Sequence, residues 1–212
     1  PENTKGLYVP YWTFDAALDA QYEGQRGEYY YVTVTSVSGK NRRTRQERRT
    51  RWYSAHGEVS GFVDDTLVKG SIQKGGQIPQ QIAFWRLEDL KTFDTRFLAG
   101  YVTEKYTIPL KEGHLEAKEK AKDIATAWAR QDIGGDTQRV HKLEIQLTDE
   151  TFKHVLLPVY ISSYRFKSKR YNFYVNGQTG KIHGTRPYSF WKIFLAISAA
   201  LIVIAAIVYF AN

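Results

Sequence analysis

The chain has 212 residues, which is enough for one large domain or two small ones that can each bury a core. With 42% hydrophobic and 25% charged residues its composition is that of a folded protein, and the net charge of +8 favours anionic partners. Because the chain contains no cysteine, a disulfide framework and a thiolate metal site within these residues are excluded.

The N-terminal part predicts strands over residues 7–36. Residues 7–14 are aromatic and interrupted by Pro10, which is typical of an edge strand. Residues 24–27 contain two glycines and indicate a turn, and the β-branched and aromatic run 29–37 predicts a strand.

An arginine-rich segment, residues 38–51, follows this strand and has a single acid, Glu47. We predict a hairpin in which 28–37 pairs with 50–63 and this segment forms the tip. Because an extended chain places its arginines on both faces, the tip must project from any core. The candidate anion-binding residues are Arg42, Arg43, Arg45, Arg48, Arg49 and Arg51.

Three kinds of anionic partner suit this tip, and a solvated loop is an equal alternative. Lipid headgroups come first if the domain lies beside a bilayer, since each basic residue there contributes about 1 kcal/mol. An acidic protein comes second. Nucleic acid is least favoured, because such binders interleave aromatic residues among the basic ones and this segment has none.

Residues 64–111 are mixed, with Asp64 and Asp65 predicted to cap a short helix, 65–70, and 87–90 predicted as a short helical turn. Residues 100–110 are expected to be extended. Residues 113–132 predict an amphipathic helix, because Ala117, Ala121 and Ala125 recur at helical spacing.

The region 138–183 predicts an antiparallel meander. Its expected strands are 138–147, 151–165, 169–176 and 181–183, with turns at 148–150, 167–168 and after Asn176. The predicted fold class is therefore α+β, with an antiparallel β-rich domain and one main amphipathic helix. Its predicted parts are a β-rich lobe, 1–110, a helix and meander, 111–186, and a transmembrane helix, 190–210.

The uncharged apolar run 193–210 predicts that transmembrane helix, because 18 residues at 1.5 Å each span about 27 Å. A buried core helix is the alternative. The predicted interfacial anchors are Trp191, Lys192, Tyr209 and Phe210. Since basic residues precede the run and none follows it, we expect a single-pass protein of the cell membrane with its folded domain on the cytoplasmic side.

No residue pattern supports catalysis or metal binding. The segment Gly177-Gln178-Thr179-Gly180-Lys181 lacks the spacing of a phosphate-binding loop and is predicted to be a turn. The five histidines form no pair at metal-ligand spacing, although His141 and His154 could face each other across a hairpin. We therefore expect no enzyme, no cofactor and no metal site in these residues.

Four short stretches together resemble a known family: residues 8–15, 97–101, 156–160 and 174–181. In this order, before an apolar C-terminal run, they resemble a poorly characterised family of bacterial zinc-ribbon membrane proteins that are often mislabelled as replication factor Y (primosomal) helicases. The resemblance implies cysteine-rich zinc ribbons ahead of Pro1, so zinc is expected only in such a preceding segment. The helicase label finds no support here, because the sequence has no P-loop.

These observations predict a non-catalytic, membrane-anchored scaffold or adaptor subunit. Its expected partners are membrane lipids and other membrane or peripheral proteins, with a homo-oligomer as a further option. The alternative is a membrane-tethered protein that binds nucleic acid through the arginine-rich hairpin, although nucleic acid is the less expected partner. A hydrolase within 64–111 is the third option.

Overall fold

The computed structural model describes residues 2–38, 41–73, 78–187 and 190–211. The elements in chain order are β1 (Glu2–Ser38), β2 (Asn41–Lys69), β3 (Tyr101–Thr103), α1 (Leu110–Ile133), β4 (Thr137–Phe166), β5 (Lys169–Asn176), β6 (Ile182–Gly184) and α2 (Phe190–Ala211). Short 3-10 turns cover Gln80–Ile82, Leu87–Asp89 and Thr95–Leu98. The strands pair in the order β2-β1-β4-β5-β6, and β3 pairs with β1 in parallel. The described chain is thus mostly antiparallel sheet with two α-helices.

The chain forms two compact units, each built from separate stretches of sequence. Unit 1 contains Pro1–Tyr8, Ile78–Thr103 and Pro158–Asn212, and unit 2 contains Val9–Gln77 and Glu104–Leu157. The predicted lobes are consecutive along the chain, whereas these units interleave. They interleave because β1 and β4 are each long enough to contribute to both.

In unit 2, β1 and β2 form one long antiparallel hairpin. Their pairing is continuous from Ala16 opposite Val63 to Ser38 opposite Asn41. The predicted register, 28–37 against 50–63, is wrong, because Glu28 pairs with Arg51 and the arginine-rich segment is itself part of β2. The sequence pattern did not predict this strand, because a strand is recognised by one apolar face and this segment carries charges on both faces.

The turn predicted at 24–27 is also wrong, because β1 continues through it. A Cβ at Gly24 would collide with the backbone carbonyl of Arg139, and one at Gly27 would collide with the side chain of Thr137. These two glycines therefore mark a close approach of β4, which is a common reason for glycine inside a strand.

Helix α1 packs its predicted apolar face against this hairpin. Its buried positions recur every four residues: Gly113, Ala117, Ala121, Ala125, Ala129 and Ile133. Ala121 and Ala125 pack against Leu18, Ala20 and Val63 of the two strands. The alanines allow a close approach of helix and sheet, and the helix prediction is confirmed.

Two further predictions in unit 2 fail where polar residues interrupt a strand. The expected helix 65–70 is part of β2, and the expected turn 148–150 lies within β4. Asp65 and Asp149 each adopt positive φ, 49° and 52°, which aspartate tolerates better than most residues. A local backbone irregularity therefore takes the place of the predicted helix at 65–70 and of the predicted turn at 148–150.

In unit 1 the meander agrees better with its prediction. β4 and β5 are joined by Lys167 and Ser168, both at positive φ, as a tight hairpin requires. β5 ends at Asn176, whose buried amide donates to the carbonyls of Ile82 and Phe84 at 2.8 and 3.0 Å. The Asn176 side-chain oxygen accepts from the backbone of Gln178 and Thr179, so this glycine-rich segment is a structural turn.

Helix α2 forms over the apolar run, but no helix among the described residues is long and apolar enough to cross a membrane. This finding contradicts the predicted transmembrane helix, the α+β fold class with a membrane span, and the single-pass location at the cell membrane. Spanning requires about 20 consecutive apolar residues. The apolar composition of residues 193–210 was therefore not sufficient evidence for a membrane span.

Candidate anionic-partner interface

The outer end of the hairpin in unit 2 leaves its side chains uncovered on both faces. We call residues 27–38 of β1 and 41–53 of β2 the distal hairpin. Arg45, Arg48, Arg49 and Arg51 are all exposed here. The backbones of Arg42 and Arg43 pair with β1, while their side chains lie outside the described residues.

The strand register divides the arginines between the two faces. Residues directly opposite each other share a face, and neighbours along a strand alternate. Arg45, Arg49 and Arg51 therefore lie on the face of Tyr30. Arg48 lies on the other face, which also carries Tyr29 and Tyr31.

Arginines and tyrosines stack across the two strands. The Arg48 guanidinium lies 4.3 Å from the ring centre of Tyr29, and that of Arg51 lies 5.3 Å from the ring centre of Tyr30. Each contact joins diagonal neighbours of an antiparallel pair, which long side chains can bridge. A guanidinium that lies over a ring can direct its N–H donors outward, where they can bind a carboxylate or phosphate in bidentate fashion.

The base of the distal hairpin is held by residues that follow α1. The Asp136 carboxylate accepts from the Tyr29 backbone at 2.7 Å, and the Arg139 guanidinium lies 3.9 Å from the ring centre of Trp52. Gly27 O accepts from the backbone N–H of Asp136 at 2.9 Å. The distal hairpin is therefore fixed at its base and free beyond it.

Few acids offset the arginines of the distal hairpin. Glu47 lies 3.8 Å from Arg49, and Glu28 pairs with Arg26 at 2.8 Å. A hydrogen bond from Arg51 to Tyr53 raises the pKa of the Arg51 guanidinium, so that this group stays charged at every ordinary pH. The surface is strongly basic and keeps its donors available.

The sequence reasoning missed the aromatic part of this site. It found no aromatic residue inside 38–51, which is correct, but pairing brings Tyr29, Tyr30 and Tyr31 alongside the arginines. These rings are 36%, 38% and 65% exposed. A two-residue connection between 38 and 41 would have predicted this register, because it sets Tyr30 opposite Arg49.

A second charged cluster in unit 2 gathers Asp15, Asp64 and Asp65, with one oxygen of each within 4.8 Å of the others. The Lys153 ammonium lies 3.1 Å from Asp15 and 3.6 Å from Asp65, and Thr151 donates to Asp15 at 3.1 Å. Burial raises the pKa of Asp15, but hydrogen bonds from the Asp65 backbone, Lys153 and Thr151 outweigh it and lower that pKa. The lysine occupies the place of a cation, so the cluster is an internal ion pair.

The histidines have structural surroundings. His141 and His154 both lie on β4, so they do not face each other across a hairpin. His154 stacks on Trp12 and Tyr106, with ring centres 3.7 and 4.2 Å away. His114 pairs with Glu150 at 2.5 Å. In the described part of the chain no histidine joins a group of metal-ligating side chains.

The predicted interfacial anchors depended on a membrane span and are withdrawn with it. Trp191 and Tyr209 are exposed on α2, at 71% and 79%. The side chains of Lys192 and Phe210 lie outside the described residues.

Comparison with known proteins identifies a distant relative. The chain is similar to the uncharacterized protein YdjG of Bacillus subtilis (strain 168), with 26% identity over 197 residues, which are 89% of this chain and 53% of that protein. The chain thus spans about half the length of the relative. No family model and no solved structure matches. The resemblance to a zinc-ribbon family therefore stays a prediction.

Proposed function

We propose that this chain is a non-catalytic adaptor whose distal hairpin binds an acidic protein partner. The observation that supports this proposal is a row of exposed arginines, two of which lie over tyrosine rings, along strands that no other described element covers. Arginine, tyrosine and tryptophan dominate the energetic centres of protein interfaces. Because the guanidinium groups of Arg48 and Arg51 already lie over rings, less side-chain freedom is lost when they pair with carboxylates.

A matched pair of variants tests the proposal. In the hairpin variant, Arg45, Arg48, Arg49 and Arg51 are changed to Gln. In the control variant, Lys111, Lys118, Lys122 and Arg130 are changed to Gln, which removes the same charge from exposed positions on α1. Binding of a fluorescent glutamate-rich peptide is followed by anisotropy.

We expect the hairpin variant to bind the peptide at least about tenfold more weakly, since each lost charge-assisted hydrogen bond is worth about 1.5–3 kcal/mol before solvent screening. The control variant should bind almost as the unchanged chain does. Equal weakening in both variants would show that only overall charge attracts the peptide. No weakening in the hairpin variant would exclude the distal hairpin as the binding surface.

Single-stranded nucleic acid is the second candidate, and one observation favours it. Tyr31 is 65% exposed, and no guanidinium of the described side chains lies over its ring, so a base could stack there beside Arg48. Substituting Tyr31 with Ala would then weaken oligonucleotide binding by about 1–3 kcal/mol and leave peptide binding nearly unchanged. Against this candidate, the rings of Tyr29 and Tyr30 are already covered by arginines.

A further inference from the structure

The sheet face of unit 2 opposite α1 carries no other described element and has ends of opposite charge. This outer face holds the odd-numbered side chains of β1 and the even-numbered side chains of β2 between the Ala16–Val63 pair and the turn. Where α1 packs on the other side of the sheet, the outer face forms two adjoining hollows of about 250 and 380 Å³. Toward the turn it becomes the Arg48 face of the distal hairpin.

The two hollows are acidic. Their charged lining residues are four carboxylates and one ammonium group: Asp19, Glu23, Glu58, Glu144 and Lys142. Lys142 is already paired with Glu144 at 2.9 Å, and Glu58 accepts from Gln21 at 2.8 Å. Lys142 also interacts electrostatically with Glu23, so one ammonium group faces four carboxylates and the hollows keep a net negative charge.

The basic end of the same face cannot neutralise this acidic end within one chain. From the Gln21–Glu58 pair to the Tyr31–Arg48 pair the strands advance ten residues, or about 33 Å at ~3.3 Å per residue. Salt screens exposed charges beyond about 8 Å at physiological ionic strength. Neither end can therefore satisfy the other in the same molecule.

We propose that the outer face is a dimer interface on which a second copy of this chain lies antiparallel. In that arrangement the Arg48 end of each copy faces the Glu23, Glu58 and Glu144 end of the other. A two-fold axis makes both contacts at once, as isologous interfaces do. This inference rests on the proposed function in one respect, namely that the distal hairpin binds carboxylates.

Sedimentation of the full chain at low and high salt is the first test. A non-ionic detergent is included because α2 exposes Leu201, Ile202 and other apolar side chains that could associate by themselves. We expect a dimer at about 50 mM NaCl and a monomer at about 500 mM, where the screening length falls to a few ångströms. Association through α2 would not be weakened by salt, because salting-out conditions strengthen apolar contacts. A wild-type chain that stays monomeric at low salt overturns the proposal.

Charge reversal at each end is the decisive test. One variant carries Glu23→Lys, Glu58→Lys and Glu144→Lys, and the other carries Arg48→Glu. Each alone should be monomeric at low salt, while an equimolar mixture should form a heterodimer, because each reversed end then meets its complement. A control with Glu112→Lys, Glu119→Lys and Asp123→Lys on α1 should remain dimeric.

Two outcomes separate this proposal from the function proposed above. If the dimer is absent while the glutamate-rich peptide still binds the hairpin, the dimer interface is wrong and the adaptor function stands. If the dimer forms and the mixture of variants restores it but the peptide does not bind, the outer face is an interface between copies only. A mixture that stays monomeric overturns the dimer in either case.

Discussion

One hairpin contains two regions that share a continuous backbone pairing but differ in the burial and the charge of their side chains. Near its base, residues 16–25 of β1 and 54–63 of β2 bury Leu18, Ala20 and Tyr22 under α1. We call this the covered hairpin. Toward the turn, the distal hairpin keeps the same register but exposes arginines and tyrosines on both faces.

The comparison indicates that one part of the two strands stabilises the fold, while the other part is available to bind a partner. The covered hairpin alternates apolar and polar residues, so one of its faces supplies a core. The distal hairpin has no such face and adds almost no buried apolar area. A stretch of strand that adds little burial yet keeps its pairing is well suited to contact a partner. Four predictions test this division.

The largest effect is expected from Leu18→Ala in the covered hairpin. Leu18 is 1% exposed and packs with Val63 and Ala125, so truncation leaves a cavity. We expect unfolding free energy to fall by about 2–5 kcal/mol, measured by urea denaturation. The matching distal change, Tyr31→Ala, should cost less than about 0.5 kcal/mol. Equal losses of unfolding free energy for the two variants would contradict the distinction between the covered hairpin and the distal hairpin.

A smaller loss of unfolding free energy is expected from Asp15→Ala. Asp15 lies at the strand irregularity, next to the covered hairpin. The change leaves the Asp65 backbone N–H without its acceptor and should cost about 1–3 kcal/mol. The pKa of Asp15 is lowered in the folded state. The contribution of Asp15 to stability is therefore present above the ordinary pKa of 3.8 and is lost as pH falls through the folded-state pKa. Urea unfolding at pH 7 and in acid would show the difference between variant and wild type shrinking at low pH. A constant difference would contradict the ion-pair assignment.

Tyr22→Phe should have a moderate effect that depends on alkaline pH. The Tyr22 hydroxyl donates to Asp132 at 2.5 Å, and its loss should cost about 1–2 kcal/mol at neutral pH. Burial, together with Asp132, raises the pKa of Tyr22 from 10.0 to about 12. Its contribution is therefore complete below pH 10 and is lost as pH rises through about 12. Wild type and variant should converge in stability over that range, as thermal melts at increasing pH would show.

The smallest effect on stability is expected from the four-arginine variant of the distal hairpin. Arg45, Arg48, Arg49 and Arg51 are exposed, so their combined change to Gln should leave the melting temperature within a few degrees of wild type. Circular dichroism provides the measurement. Cooperative unfolding at a much lower temperature would mean that the arginines are needed for the fold, and the loss of peptide binding would then have no separate meaning.

The elements that the sequence predicted well have strong local signals. The alanine stripe of α1 repeats at helical spacing, and Lys167 with Ser168 forms a turn that pairing across β4 and β5 requires. Such signals depend on a few neighbouring residues. They do not depend on which strand lies opposite.

The parts that were missed depend on distant partners. Gly24 and Gly27 indicate a turn when viewed alone, and only the approach of β4 explains them. Likewise, the Arg48–Tyr29 contact joins residues from two strands, so the aromatic half of the candidate site could not be found within the arginine-rich segment itself. The membrane span failed for another reason, since a hydrophobic composition was taken as sufficient for a spanning helix.

Hydrogen exchange of the full chain, with and without the glutamate-rich peptide, tests the central claim most directly. Amides of the distal hairpin should exchange quickly in the free chain, because few buried contacts support them. We predict that the peptide slows exchange over 29–35 and 44–52, while amides of the covered hairpin and α1 keep their rates. Slowed exchange confined to α1 or to unit 1, or no change at saturating peptide, would contradict the assignment of binding to the distal hairpin.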